Sequence, residues 1–172
     1  VMSTLTPFKS EISIRRAAMR FWQGPWANLP GQVREYPTML TREELRMLRW
    51  LAHEYYSGQG CICDLGAFLG GSTMALADGL IEAGWCERRI HSYDRHRITA
   101  AMWERYVGNR LDYPDGGDFL PLMSTLMGDR VSVVEFHSGD FLHAAVPNES
   151  IEILFVDIAK TPETSDYLVS EF

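Results

Sequence analysis

Four short segments place glycines, carboxylates and hydroxyls where they could handle a small polar molecule. The first is Asp64-Leu65-Gly66-Ala67-Phe68-Leu69-Gly70-Gly71-Ser72-Thr73. Gly66, Gly70 and Gly71 allow a tight turn and close approach of a ligand to the backbone. Ser72 can cap a following helix, whose first N–H groups attract a carboxylate. The dinucleotide pattern Gly-x-Gly-x-x-Gly is met only in part: counted from Gly66, Phe68 stands at the middle glycine, although Gly71 fits the third. A pyrophosphate is obstructed at that place. The Asp64 carboxylate is also unwelcoming to phosphate and welcoming to an amine, so the loop suits a zwitterionic amino-acid group better than a dinucleotide.

The second segment is Ser92-Tyr93-Asp94-Arg95. A carboxylate at a strand end can accept both hydroxyls of a ribose, and a solvated aspartate in a turn is the plainer reading. Asp94 follows Asp64 by 30 residues, longer than the usual step in a dinucleotide fold. In the third, Ser138-Gly139-Asp140-Phe141, Asp140 can accept a hydrogen bond from an exocyclic amine with Phe141 beside a planar base. Asp140 can equally cap a short helix, and the two roles are compatible. The fourth, Phe155-Val156-Asp157-Ile158-Ala159-Lys160, sets an anion and an ammonium beside one cleft. Its plain alternative is a surface ion pair worth under about 1 kcal/mol.

Other reactive residues carry less. The five histidines show no metal-ligand spacing; Asp140 and His143 can meet on one turn as a capping pair. No Gly-x-Ser-x-Gly elbow or Walker loop is present. Cys61 and Cys63 share one face of a strand but lack the two-residue spacer of zinc or thioredoxin motifs, so they read as small apolar filler. Three cysteines without a framework spacing fit a reducing cytosol, and a cytoplasmic location is expected.

The elements that position these segments alternate. Thr41-x-x-Glu44 is a capping box opening a helix to about Tyr56, with Leu45, Leu48, Leu51 and Ala52 as its apolar stripe. Strands are expected at Cys61–Leu65, Arg89–Tyr93, Val131–Phe136 and Ile151–Val156. Helices are expected at Ser72–Ala83, Thr99–Val107, Phe119–Met127 and from Thr161 onward. This order predicts an α/β domain with a mostly parallel sheet, in which ligands bind beyond the carboxyl ends of the strands. All four segments fall at those ends. Residues 1–40 differ: a helical pattern at Ile12–Trp22, then a stretch rich in Trp, Pro and Gly, reads as a lid or a subunit-contact arm before a domain at 41–172.

Composition sets bounds. The 172 residues hold 16 Lys plus Arg against 23 Asp plus Glu, and 46% are hydrophobic, the balance of an ordinary globular domain. The net charge of −7 argues against non-specific nucleic-acid binding. No apolar run reaches the roughly 18–20 residues that span a bilayer, and the first ten residues do not read as a secretory signal.

On these residues the chain resembles class I S-adenosylmethionine-dependent methyltransferases. Asp64 to Thr73 looks like the family's first motif, Asp94 matches the acidic residue after the second strand, Ser138-Gly139-Asp140-Phe141 the adenine-side motif, and Phe155-Val156-Asp157 the fourth. The match covers about Cys61 to Lys160. It implies a Rossmann-like fold in which Asp64, Gly66, Ala67, Phe68, Gly70, Gly71, Ser72 and Thr73 surround the methionine end of S-adenosylmethionine. It implies ribose binding by Asp94, with Arg95 beside it, and adenine contacts by Asp140 and Phe141. Asp157-Ile158-Ala159-Lys160 is similar to the Asp-x-x-Lys of catechol and caffeoyl-CoA O-methyltransferases. There the Asp helps bind a divalent ion such as Mg2+ and the Lys assists deprotonation. The Gly-Gly-Ser-Thr loop is similar to that of macrocin-type enzymes. The implied activity is O-methylation of a small-molecule hydroxyl of sugar or natural-product type. A degenerate cofactor-binding remnant and, less favoured, an NAD(P)-dependent oxidoreductase stay open.

The family's sheet has seven strands in the order 3-2-1-4-5-7-6, whereas this sequence ends at Phe172, soon after the fourth. The expectation is therefore a domain lacking strands five to seven, through truncation, completion by another subunit, or degeneration. An open fourth strand predicts self-association into a homo-oligomer.

Overall fold

The computed structural model describes residues 28–87 and 89–172. The helical pattern at Ile12–Trp22 and most of the aromatic stretch lie outside the described residues. At its centre is a sheet of four parallel strands: β1 (Cys61–Leu65), β2 (Ile90–Asp94), β3 (Val134–Ser138) and β4 (Ile151–Val156), in the order β3-β2-β1-β4. Helices α1 (Gly31–Glu35), α2 (Arg42–Trp50), α3 (Gly71–Glu82), α4 (Ala100–Tyr106), α5 (Leu120–Met127) and α6 (Pro162–Glu171) flank it. Among the described residues no helix is long and apolar enough to cross a membrane.

The centre of the sheet is buried because both its faces are covered there, while the edge strands β3 and β4 are only partly covered. All five β1 residues are buried. Side chains alternate between the faces. Ile62, Ile90, Val134 and Ile153 join Leu45, Leu48, Met74, Leu76, Leu80, Met123 and Met127 in the main core. On the other face Cys61, Cys63, Leu65 and Tyr93 meet Phe141, with Tyr167, Leu168 and Phe172 closing over them. The cysteines thus fill the core, as their spacing predicts. Leu29, Val33 and Tyr36, from the described part of the N-terminal extension, pack into the main core as well.

The expected capping box starts α2: Glu44 N–H donates to Thr41 Oγ1 at 3.3 Å, and Thr41 N–H donates to Glu44 Oε2 at 2.7 Å. The helix runs on as a π-helical turn, Leu51–Tyr55. Arg49 of α2 pairs with Asp78 of α3 at 3.0 Å and also with Glu82, while Arg130 grips the other Asp78 oxygen at 2.6 Å.

Helices α2 and α3 cross closely at Gly79. A Cβ there would strike the Arg49 carbonyl and lie 3.0 Å from the Ala52 methyl. Alanine gains about 1 kcal/mol of helix propensity over glycine, while overpacking costs about 1–3 kcal/mol. Gly79→Ala is therefore expected to lower the urea midpoint, by a net of about 1 kcal/mol, with the slope unchanged. A stabilised variant would rule out this close approach.

One strand differs from expectation. Val131–Val133 belong to a 3-10 turn spanning Gly128–Val133, and β3 starts at Val134 and extends to Ser138. The cause is pairing: β2 begins at Ile90, opposite Val134, and ends at Asp94, opposite Ser138.

Candidate functional site

In the order β3-β2-β1-β4 the crevice between oppositely running connections lies at the carboxyl ends of β1 and β4. Gly66 follows β1 with φ +96°, and a Cβ there would meet the Asp157 carbonyl carbon and oxygen at 3.0 Å. Asp157 N–H in turn donates to Leu65 O at 2.8 Å. Glycine is needed here because the first loop crosses directly over the exit of β4.

Asp94 ties the loops together. Its Oδ2 accepts the N–H of Phe68 at 2.8 Å and its Oδ1 accepts the N–H of His96 at 2.9 Å. Among the described residues, Phe68 (φ 50°) and His96 (φ 51°) are the non-glycine residues with positive φ. Such a conformation costs on the order of 1–3 kcal/mol and persists only where its surroundings impose it. One carboxylate holds both. The Phe68 ring adds edge-on packing against Phe119 and Tyr106, with centroids 6.0 and 6.2 Å away.

Beside Asp94 opens a cleft of about 410 Å³, lined among others by Tyr93, His137, Ser138, Asp140 and Phe141. That volume falls in the ordinary range for small-molecule sites, about 300–1,000 Å³. Asp140 caps the short turn Phe141–His143, its Oδ1 accepting from Leu142 N–H at 3.1 Å, while Arg95 reaches its Oδ2 at 3.1 Å. The cap follows the spacing; the exposed ion pair contributes little to stability. Phe141 departs from expectation. It is 4% exposed, and its ring packs against Tyr167 and Phe172 instead of standing free beside a planar base. The turn begun at Asp140 carries the ring onto α6.

Gly66, Ala67, Phe68, Ser72 and Asp157 border a second, narrower crevice with Thr38, Met39 and Leu40. It holds about 10 Å³, room for roughly one water. Thr38 presses on the start of α3, where a Cβ on Gly71 would strike its side chain.

Two expectations for the first loop are corrected. The N-cap of α3 is Gly70, at φ +91°, and Ser72 lies inside the helix. Its hydroxyl donates to Asp64 Oδ2 at 2.8 Å, and Thr73 Oγ1 donates to the same oxygen. Asp64 is fully buried beneath the helix start, so its carboxylate is not open to a ligand amine. Burial, the largest cause, pushes its pKa up to about 6 against the two hydroxyl bonds, with Asp94 and Asp157 adding to the rise. Its Oδ1 has no hydrogen-bond partner among the described residues.

Asp157 and Lys160 do meet, at 3.3 Å, but with side chains 36% and 69% exposed. Asp157 belongs to neither of the two groups of three converging metal-ligating side chains found among the described residues. Among the described residues, the donors thus do not build a magnesium site around it.

His96 was not singled out by sequence. It is 1% exposed, Nδ1 meets Ser138 Oγ at 2.7 Å, and burial lowers its pKa. The available signal was Asp94-Arg95-His96, since an aspartate often binds the backbone N–H two residues on.

No family model, curated protein or solved structure matches this chain.

Proposed function

We propose that this chain is an S-adenosylmethionine-dependent methyltransferase acting on a small-molecule hydroxyl. The observation that carries the reading is Asp94. It sits at the end of β2 on the wall of a 410 Å³ cleft, and each oxygen, having accepted one backbone N–H, keeps capacity for another hydrogen bond. That is the arrangement needed to accept two ribose hydroxyls. The strand order β3-β2-β1-β4 agrees with the first four positions of the methyltransferase sheet. Ser138, Gly139 and Asp140 line the same cleft and suit an adenine.

S-adenosylmethionine, when bound, supplies a methyl group already activated on a sulfonium. The chain's own task is to align the acceptor and favour its anionic form. Asp94 would hold the nucleoside, and the Gly66-to-Thr73 loop would receive the methionine end. Lys160, paired with Asp157 and largely exposed, would stabilise or deprotonate the acceptor oxygen. The open outer side of β4 fits self-association as a homo-oligomer. A reducing, cytoplasmic setting fits its free thiols. An NAD(P)-dependent oxidoreductase fits less well, because Phe68 occupies the middle glycine position. One observation favours a binding module that no longer transfers methyl groups: the crevice at the methionine end is nearly filled by Thr38–Leu40.

Calorimetric titration with S-adenosylmethionine, S-adenosylhomocysteine and NAD tests the cofactor class. Binding of the first two and not the third is expected; binding of NAD alone, or of none, overturns the reading. Lys160→Ala is expected to leave S-adenosylmethionine affinity within twofold and to lower methyl transfer to sugar or phenolic hydroxyls about a hundredfold. Unchanged turnover would remove Lys160 from the chemistry. If wild type binds but transfers no methyl group to any acceptor, the binding-module reading takes over.

A further inference from the structure

On the face of the sheet that carries the cysteines, β2 and β3 bring three further side chains together. Their register places His91 opposite Glu135 and Tyr93 opposite His137. His91 Nδ1 lies 2.9 Å from His137 Nε2, and that same Nε2 lies 3.8 Å from Glu135 Oε1. The three residues each offer a ligand atom, all within 4.8 Å of one another. We propose that His91, His137 and Glu135 form a binding site for a divalent transition-metal ion such as zinc, with Glu149 orienting His91.

The distances fit. Four ligands at about 2.0–2.1 Å in a tetrahedron stand roughly 3.3–3.4 Å apart, and the two ligand separations here, 2.9 and 3.8 Å, bracket that value. The other nitrogen of His91, Nε2, faces Glu149 Oε1 at 3.6 Å. A carboxylate on that side favours a proton on Nε2, so that the Nδ1 lone pair points to His137, where the ion would sit between the two rings. His137 is held flat against Tyr93, with ring centroids 4.3 Å apart and 11° between planes, so its orientation is set before any ion arrives.

The donor set selects the ion. Two imidazoles and one carboxylate suit zinc, copper, nickel or iron; magnesium and calcium prefer oxygen. The site lies at the β2–β3 edge, separated by β1 from β4 and Asp157. His137 also lines the nucleoside-sized cleft, which places the ion against its wall. Cys61, His91 and Glu149 form a neighbouring group that shares His91. Cys61 is fully buried against Cys63, with sulfurs 3.9 Å apart, so the histidine pair is the more accessible arrangement.

The test is titration of the full chain with Zn2+ against a chromophoric chelator, and with Co2+ followed by absorption. One equivalent of each is expected, with a tetrahedral cobalt spectrum lacking a thiolate charge-transfer band. Glu135→Gln, an exposed change on an edge strand, and His137→Gln should each weaken zinc at least tenfold, and Glu149→Gln about tenfold. Circular dichroism would confirm that each variant is folded. No zinc binding, affinity unchanged in the folded Glu135→Gln protein, or a thiolate-to-cobalt band would each overturn the proposal.

Discussion

Asp94→Ala is expected to weaken S-adenosylmethionine binding at least a hundredfold and to destabilise the fold by about 2–4 kcal/mol. The two losses have different origins. The first is removal of a charged acceptor for two ligand hydroxyls, and hydrogen bonds to charged groups contribute about 1.5–3 kcal/mol each. The second comes from within the protein. The N–H groups of Phe68 and His96 lose their acceptor, and both residues sit at positive φ, a conformation those bonds help to hold. Partial exposure of Asp94 moderates the cost, because water can replace part of each bond. Urea denaturation reads the second loss and calorimetry the first. Asp94→Asn separates them, since it keeps an acceptor for one turn while removing the charge. A stable Asp94→Asn protein with undiminished affinity would end the ribose assignment.

The second large effect concerns pH. Asp64 has a folded pKa of about 6 against an ordinary value of 3.8, because burial penalises the charged form. The folded state therefore binds this proton more tightly than the unfolded state does. Its stabilising contribution is fully present below about pH 3.8 and is lost as pH rises through about 6. A shift of about two units corresponds to roughly 3 kcal/mol. Asp64→Asn carries no charge at any pH in that window. The stability of the variant minus that of the wild type should therefore rise by about that amount between pH 4 and pH 7. Urea midpoints of both proteins across this range provide the check. Taking the difference cancels the titration of every other carboxylate, and a difference flat in pH would refute the buried, strained carboxylate described above.

These two aspartates show how far sequence could reach. Local signals were legible: Thr41 and Glu44 form their box because both groups lie within one turn, and Asp140 caps the turn that follows it. The strands were legible as apolar runs between turn residues, and the ends of β1, β2 and β4 fell within a residue of expectation. Facing was harder. Cys61, Cys63 and Leu65 share one face of β1, so Ile62 and Asp64 must point to the other, beneath α3. Read by that alternation, Asp64 belongs to the interior, and its hydroxyl partners Ser72 and Thr73 then follow. What sequence could not supply is register. His91 and His137 are far apart in the chain and meet only because Ile90 pairs with Val134. The narrow crevice likewise depends on where Thr38–Leu40 come to rest, which no local pattern specifies.

The sheet order also governs how the molecule comes together. β1 pairs with β2 across one helical connection and β2 with β3 across another, but Cys61 must wait for Ile151 to complete its second edge. Closing so long a loop delays a contact, because chain entropy is spent before the contact repays it. Gly66 and Asp157 become neighbours only in that step. The part of the 410 Å³ cleft built on β2 and β3 has no such dependence, whereas Ile158, beyond β4, joins its lining only then. The site is thus assembled in two stages on the folding clock, and a chain caught between them would present Asp94 without the Gly66–Asp157 crossing beside it.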